Sequence, residues 1–160
     1  MTERRVFTKT LNGLAKVGNH EVRVTTGNGH GSTNTKIRRY TTTQTNVGTA
    51  ITYADSAANG ATFTINEPGI YSISVSDTRA AADADMGISL NSAELTTSIT
   101  TITAANRLMM VRTPAGTGAG EASIFAYLVA GDIVRAHTDG NLDSTDAATS
   151  IFSIRKVASV

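Results

Sequence analysis

One stretch of this chain leaves little choice of local structure: FTINEPGIYSISVS, Phe63 to Ser76. Apolar and small polar residues alternate on both sides of Pro68-Gly69. An alternation of period two places one set of side chains on each face of an extended strand. A Pro-Gly pair supplies a fixed φ followed by a residue without a Cβ, which marks a turn. The stretch reads as strand, turn, strand, a hairpin. In its second arm Tyr71, Ile73 and Val75 share the apolar face, and Ile70, Ser72, Ser74 and Ser76 share the other.

Two later runs have the same character. FAYLVAGDIVRAH, Phe125 to His137, is a strand ending at Leu128, a turn at Gly131-Asp132 and a second strand. SIFSIRKV, Ser150 to Val157, is a closing strand. Further short strands are expected over Lys36–Thr43, Thr49–Tyr53, Ala61–Ile65, Met86–Leu90, Leu108–Thr113 and Ala122–Val129. Glu94–Ala105 fits either a strand or a loop. Many short strands with turn residues between them indicate an all-β sandwich or barrel, and a jelly roll is its eight-stranded form. The predicted core includes Leu128 and Phe152.

The first 35 residues differ from the rest. Val6, Leu11, Leu14 and Val17 are scattered among polar residues, with Gly13 and Gly18 opposing a long helix. Glu21–Thr26 has the length of one short strand, and Gly27–Ser32 reads as a flexible breaker. The predicted organisation is an extended N-terminal arm over 1–35 and a jelly-roll domain over 36–160. Residues 1–40 hold eight basic residues against two acidic ones, a balance of +6; with a chain total of +1, the remainder carries −5. A basic arm on an acidic body points to a negatively charged partner surface.

At this point the chain resembles the tumour-necrosis-factor-like superfamily, in particular the globular heads of complement-type proteins. Phe63, Pro68, Gly69, Tyr71 and Ile73 carry the likeness in the first run. Ala126, Leu128, Gly131, Asp132 and Val134 carry it in the second, and Phe152 in the third. It covers roughly Lys36 to Val157. The resemblance implies a TNF-like jelly-roll sandwich of about 8–10 antiparallel strands that trimerises around the strands near Phe125 and Ser150. The chain has no cysteine, no collagen-like stalk and no apolar leader at its start, which directs the reading away from a secreted immune role. A cysteine-free body rich in Thr, Ala and Ser, carrying a short arm, is similar in style to bacteriophage head decoration (cement) proteins.

Little in the sequence suggests chemistry. His20, His30 and His137 are isolated from any nucleophile-and-base motif. Gly116, Gly118 and Gly120 alternate, but they lack the strand-to-helix setting and the Lys-Ser/Thr ending of a phosphate loop. Asp139, Asn141, Asp143 and Asp146 place oxygens at the spacing of a calcium loop, but the sixth position is Ser144 and the twelfth is Ser150, so the EF-hand pattern fails. Asx-rich turns form without metal. Asp77, Asp83 and Asp85 read as a solvated acidic loop. Arg4, Arg5, Arg38 and Arg39 have only Tyr40 beside them, too little for a stacking platform on nucleic acid.

The expectation is therefore a non-enzyme with no cofactor or metal: a virion structural protein made in the host cytoplasm and bound to the outer capsid surface. Its partners would be itself, as a homotrimer, and the major capsid protein, with no nucleic acid and no membrane. Phe125, Tyr127 and Val129, opposite in facing to Ala126 and Leu128, are the expected trimer contacts. Arg4, Arg5, Val6, Lys9, Leu11, Leu14, Lys16 and Val17 form the expected capsid-binding arm. The alternative is a receptor- or glycan-binding tip of a phage fibre or bacterial surface appendage.

Overall fold

The computed structural model describes residues 19–78, 84–113, 119–142 and 145–159. Ten strands follow in chain order: β1 (Glu21–His30), β2 (Arg38–Val47), β3 (Ile51–Ser56), β4 (Gly60–Ile65), β5 (Gly69–Thr78), β6 (Ala84–Leu90), β7 (Arg107–Thr113), β8 (Ala119–Leu128), β9 (Ile133–Thr138) and β10 (Ile151–Ala158). A short 3-10 turn at Ala104–Asn106 precedes β7.

The strands form two antiparallel five-stranded sheets, ordered β2-β1-β10-β5-β8 and β3-β4-β9-β6-β7. This is the jelly-roll sandwich that the sequence predicts. Its inner faces are built by period-two alternation: Tyr71, Ile73 and Val75 from β5 meet Phe63 and Ile65 from β4, with Val22, Val24, Phe152, Ile154 and Leu128 completing the core. Phe63 stacks on Phe152 across the sheets, with ring centroids 4.3 Å apart. Leu128 and Phe152 are fully buried, as expected.

The structure corrects three readings. Phe63 to Ser76 is not a hairpin. β4 and β5 lie in different sheets, and Pro68 sits on the connection that crosses between them. β8 and β9 are likewise in opposite sheets, joined through the Gly131 turn, where φ is +95°. At such a φ a residue with a Cβ is strained. There the Val129 N–H donates to Asp132 Oδ2 at 2.8 Å, and Asn91 Nδ2 donates to Asp132 Oδ1 at 2.8 Å.

The second correction concerns the arm. Glu21–His30 is not part of an appendage: β1 is an interior strand, paired to β10 on one side and to β2 on the other. The jelly roll therefore begins before residue 36. Gly27 to His30 extend that strand rather than break it. Val22 and Val24 supply its core contacts, while Thr26 at φ +63° and two register shifts against β2 hide the alternation in the sequence.

The third concerns the acidic loop. Asp77 is fully buried at the end of β5 against the fully buried Arg38 of β2. Arg38 Nε donates to Asp77 Oδ2 at 2.6 Å and Nη2 to Oδ1 at 3.3 Å, while Nη1 donates to the Gly29 carbonyl at 3.0 Å. Ser150 Oγ and the Thr78 N–H also donate to the carboxylate, at 3.2 and 2.9 Å. Burial pushes the Asp77 carboxyl upward, and the guanidinium opposes that push. Asp85 is buried too, held by Arg112 Nε at 2.9 Å. Asp83 lies outside the described residues.

Candidate functional site

The two open sides of the sandwich differ in chemistry. One side is bounded by β2 and β3. It is closed by polar groups: Arg39 Nη2 donates to Asp55 Oδ2 at 3.2 Å, and Tyr53 leans on Phe63 at 5.1 Å. Desolvation raises the Asp55 carboxyl and the Tyr53 phenol above their ordinary ranges.

The other side is bounded by β7 and β8 and is apolar. Leu108, Met109 and Val111 of β7, with Ile124 and Ala126 of β8, pack on the core but stay partly open to solvent. Beside them Met110, Phe125 and Tyr127 are exposed, Phe125 by 71% and Tyr127 by 60%. Val129, just past β8, is 44% exposed. The cause is local: β8 pairs with β5 in perfect alternation from Gly69↔Leu128 to Thr78↔Ala119, so if Leu128 and Ala122 face inward, Phe125 and Tyr127 must face outward. Tyr127 lies opposite Ile70 and Phe125 opposite Ser72, and Ile70 and Val157 are exposed on the same sheet. The outward facing of Phe125 and Tyr127 is thus the one that the resemblance implies, and Val129 beyond the strand is exposed as well.

Farther along this outer face the side chains become small. A shallow trough crosses four strands, with Ser74, Ser76, Ser153 and Ile151 in its floor and Arg23 and Glu121 at its margins. Those two charged residues stand on β1 and β8, three strand spacings or about 14 Å apart across the sheet and two residues apart along it. Nothing in the sequence joined these residues, because β1 was not recognised as a neighbour of β10.

The expected arm residues Arg4, Arg5, Val6, Lys9, Leu11, Leu14, Lys16 and Val17 lie outside the described residues, as do Asp143 and Gly116 and Gly118 of the glycine loop. In the Asx-rich turn, Asp139 Oδ1 and Oδ2 accept from Asn141 and from the Asp85 N–H, all at 2.9–3.0 Å, and Asp146 Oδ1 accepts from the Ala148 N–H. The carboxylates serve the chain itself. No group of three metal-ligating side chains occurs among the described residues. Each histidine is engaged structurally. His20 Nδ1 accepts from the Thr49 and Ala50 N–H groups, His30 Nε2 bonds Thr138 Oγ1 at 2.8 Å, and His137 Nε2 bonds the Thr97 carbonyl at 2.8 Å. Burial, with Arg38 and Lys36 nearby, lowers His30 to about 4.

No protein-family model matches the chain, and no curated protein matches it in sequence. Solved structures do match in shape. Murine APRIL at pH 8.0 superposes with a TM-score of 0.63 at 11% identity, covering 86% of this chain and 98% of that one. Eiger TNF from S. frugiperda gives a TM-score of 0.61 at 9% identity, covering 89% and 94%. At such identities the likeness establishes the fold. The chain is a TNF-like jelly roll over almost its whole described length.

Proposed function

We propose that this protein is a structural, self-associating jelly roll: a homotrimeric decoration protein that binds the outer surface of a phage capsid and stabilises it, with no enzymatic role. The observation that carries the self-association is the apolar β7–β8 side. Two large aromatic side chains exposed on an edge strand, next to a row of half-covered Leu, Met, Val and Ile, are costly to leave in water. Among the described residues, the opposite side of the sandwich carries the Arg39–Asp55 ion pair and no exposed aromatic side chain of this kind. The TNF-like fold and the resemblance of its strand motifs support three as the number of copies.

Capsid binding rests on the charge asymmetry. The basic residues Arg4, Arg5, Lys9 and Lys16, interspersed with Val6, Leu11, Leu14 and Val17, suit an acidic surface with apolar grooves between subunits. In this reading the protein is made in the host cytoplasm and resides on the virion. Two measurements test it. Light scattering should give a trimer for wild type and a monomer for Tyr127→Asp; a wild-type monomer at micromolar concentration ends the trimer reading. Sedimentation with capsids should carry the protein down at fixed stoichiometry.

A second reading, a receptor- or glycan-binding tip, is favoured by the serine-floored trough with Arg23 at one margin and Glu121 at the other. It predicts binding to cells or glycans and no co-sedimentation with capsids.

A further inference from the structure

The segment 91–106, between β6 and β7, lies as a strap over the outer face of the second sheet. Its own Ile99 and Ile102 are buried, apart from the main core. β6 makes room with Gly87, where a Cβ would stand 2.2 Å from the Met109 carbonyl oxygen and 3.1 Å from Ile99. Several bonds hold the strap down. The Ile99 N–H donates to the Thr138 carbonyl at 3.1 Å, the Lys36 N–H to Leu95 at 3.1 Å, and Arg107 Nη1 to Ile99 and Thr100 at 3.0 and 2.6 Å.

Under this strap three buried polar atoms have no partner: Ser89 Oγ, Arg135 Nε and His137 Nδ1. They are neighbours by register. Ser89 faces Arg135 directly across the β6–β9 ladder, and His137 is two residues along the same face of β9, opposite Gly87. The strap bonds two of the three residues directly: Arg135 Nη1 donates to the Ser92 carbonyl at 3.4 Å and His137 Nε2 bonds the Thr97 carbonyl at 2.8 Å. Ser89 and His137 are fully buried. Buried polar groups in native proteins find partners, and three left unmade on adjacent positions of one sheet face point to an occupant.

The bonding capacities of these atoms fix what that occupant is. A carbonyl oxygen only accepts, so His137 Nε2 carries the proton in its bond to Thr97. In the neutral ring Nδ1 is then a bare lone pair and must accept. Arg135 Nε only donates, and Ser89 does either. An occupant must therefore donate to His137 and accept from Arg135. An anion would face the Nδ1 lone pair, and a metal cation would face the guanidinium. We infer that Ser89, Arg135 and His137 bind one buried neutral molecule with the size and bonding of water, and that it clamps the 91–106 strap to the second sheet. Three bonds to otherwise unpaired groups are the usual complement of an internal water. Burial lowers the basicity of His137, which favours the neutral ring.

Nitrogen-labelled histidine spectra of the full chain near neutral pH, with water-to-protein cross-relaxation, read this directly. The expected result is a His137 ring protonated on Nε2 alone and in contact with a long-lived water. Ser89→Ala, a small deletion that leaves the fold intact, should raise amide exchange over 92–103 about tenfold, the factor for losing one net hydrogen bond, without changing exchange in β5 and β10. A His137 protonated on Nδ1, a bromide ion found at the site in crystals grown from bromide, absence of the water contact, or unchanged exchange in Ser89→Ala each overturns the inference.

Discussion

Replacing Asp77 by Asn tests the buried pair at the end of β5. The substitution keeps shape and one carbonyl acceptor but removes the charge facing Arg38. In the wild type the carboxylate receives two bonds from that guanidinium and one each from Ser150 and the Thr78 N–H, with no solvent at either charged side chain. Removing one member of a buried ion pair leaves the other charge desolvated without its counterion and costs about 3–5 kcal/mol. For a domain of this length each kcal/mol moves the melting point by about 2–4 °C, so Asp77→Asn should melt roughly 6–20 °C lower at neutral pH. Arg38→Met should lose a comparable amount. The double variant Arg38→Met/Asp77→Leu should recover most of the loss, because removing both charges removes both desolvation costs. Urea unfolding followed by circular dichroism measures all three. A single-variant loss below about 1 kcal/mol, or a double variant as unstable as the sum of the singles, refutes the argument that the pair acts as a charge-compensated unit.

Phe152→Ala should cost about 3–5 kcal/mol, since it removes a fully buried ring stacked on Phe63; an unchanged melting temperature would contradict its place in the core. His30, at about 4 in the folded state against about 6.5 unfolded, binds its proton more readily when unfolded. Stability from this group is therefore full above about pH 6.5 and is lost as pH falls towards 4, by up to about 3 kcal/mol. His30→Gln should flatten the melting-temperature profile across that window, and a profile unchanged by the substitution would assign the acid sensitivity elsewhere. Deleting residues 1–17 should leave a folded trimer that no longer sediments with capsids, with salt weakening the wild-type interaction; normal binding by the deletion variant would move attachment to the loops of the jelly roll.

Local pattern alone determined much of this protein. Alternation over Tyr71, Ile73 and Val75 marked a strand and its apolar face, and alternation over Phe125 to Leu128 marked a second strand with two distinct faces. That Ala126 and Leu128, rather than the bulkier Phe125 and Tyr127, take the inner face came from the TNF-like resemblance, because a period of two does not say which face is buried. Turn residues at Pro68-Gly69 and Gly131-Asp132 located the chain reversals. What followed each reversal was not local. A turn brings the chain back, but whether the next strand pairs with the last or crosses to the opposite sheet depends on which edges are free, and β4–β5 and β8–β9 both cross. β1 escaped recognition because Thr26 and the register shifts break its period, and its place between β2 and β10 comes from a partner more than 100 residues away. Arg38 and Asp77 looked like surface charges for the same reason. Their burial exists only because the end of β5 meets β2, and a sequence carries no sign of a counterion 39 residues distant until the sheet brings it within 2.6 Å.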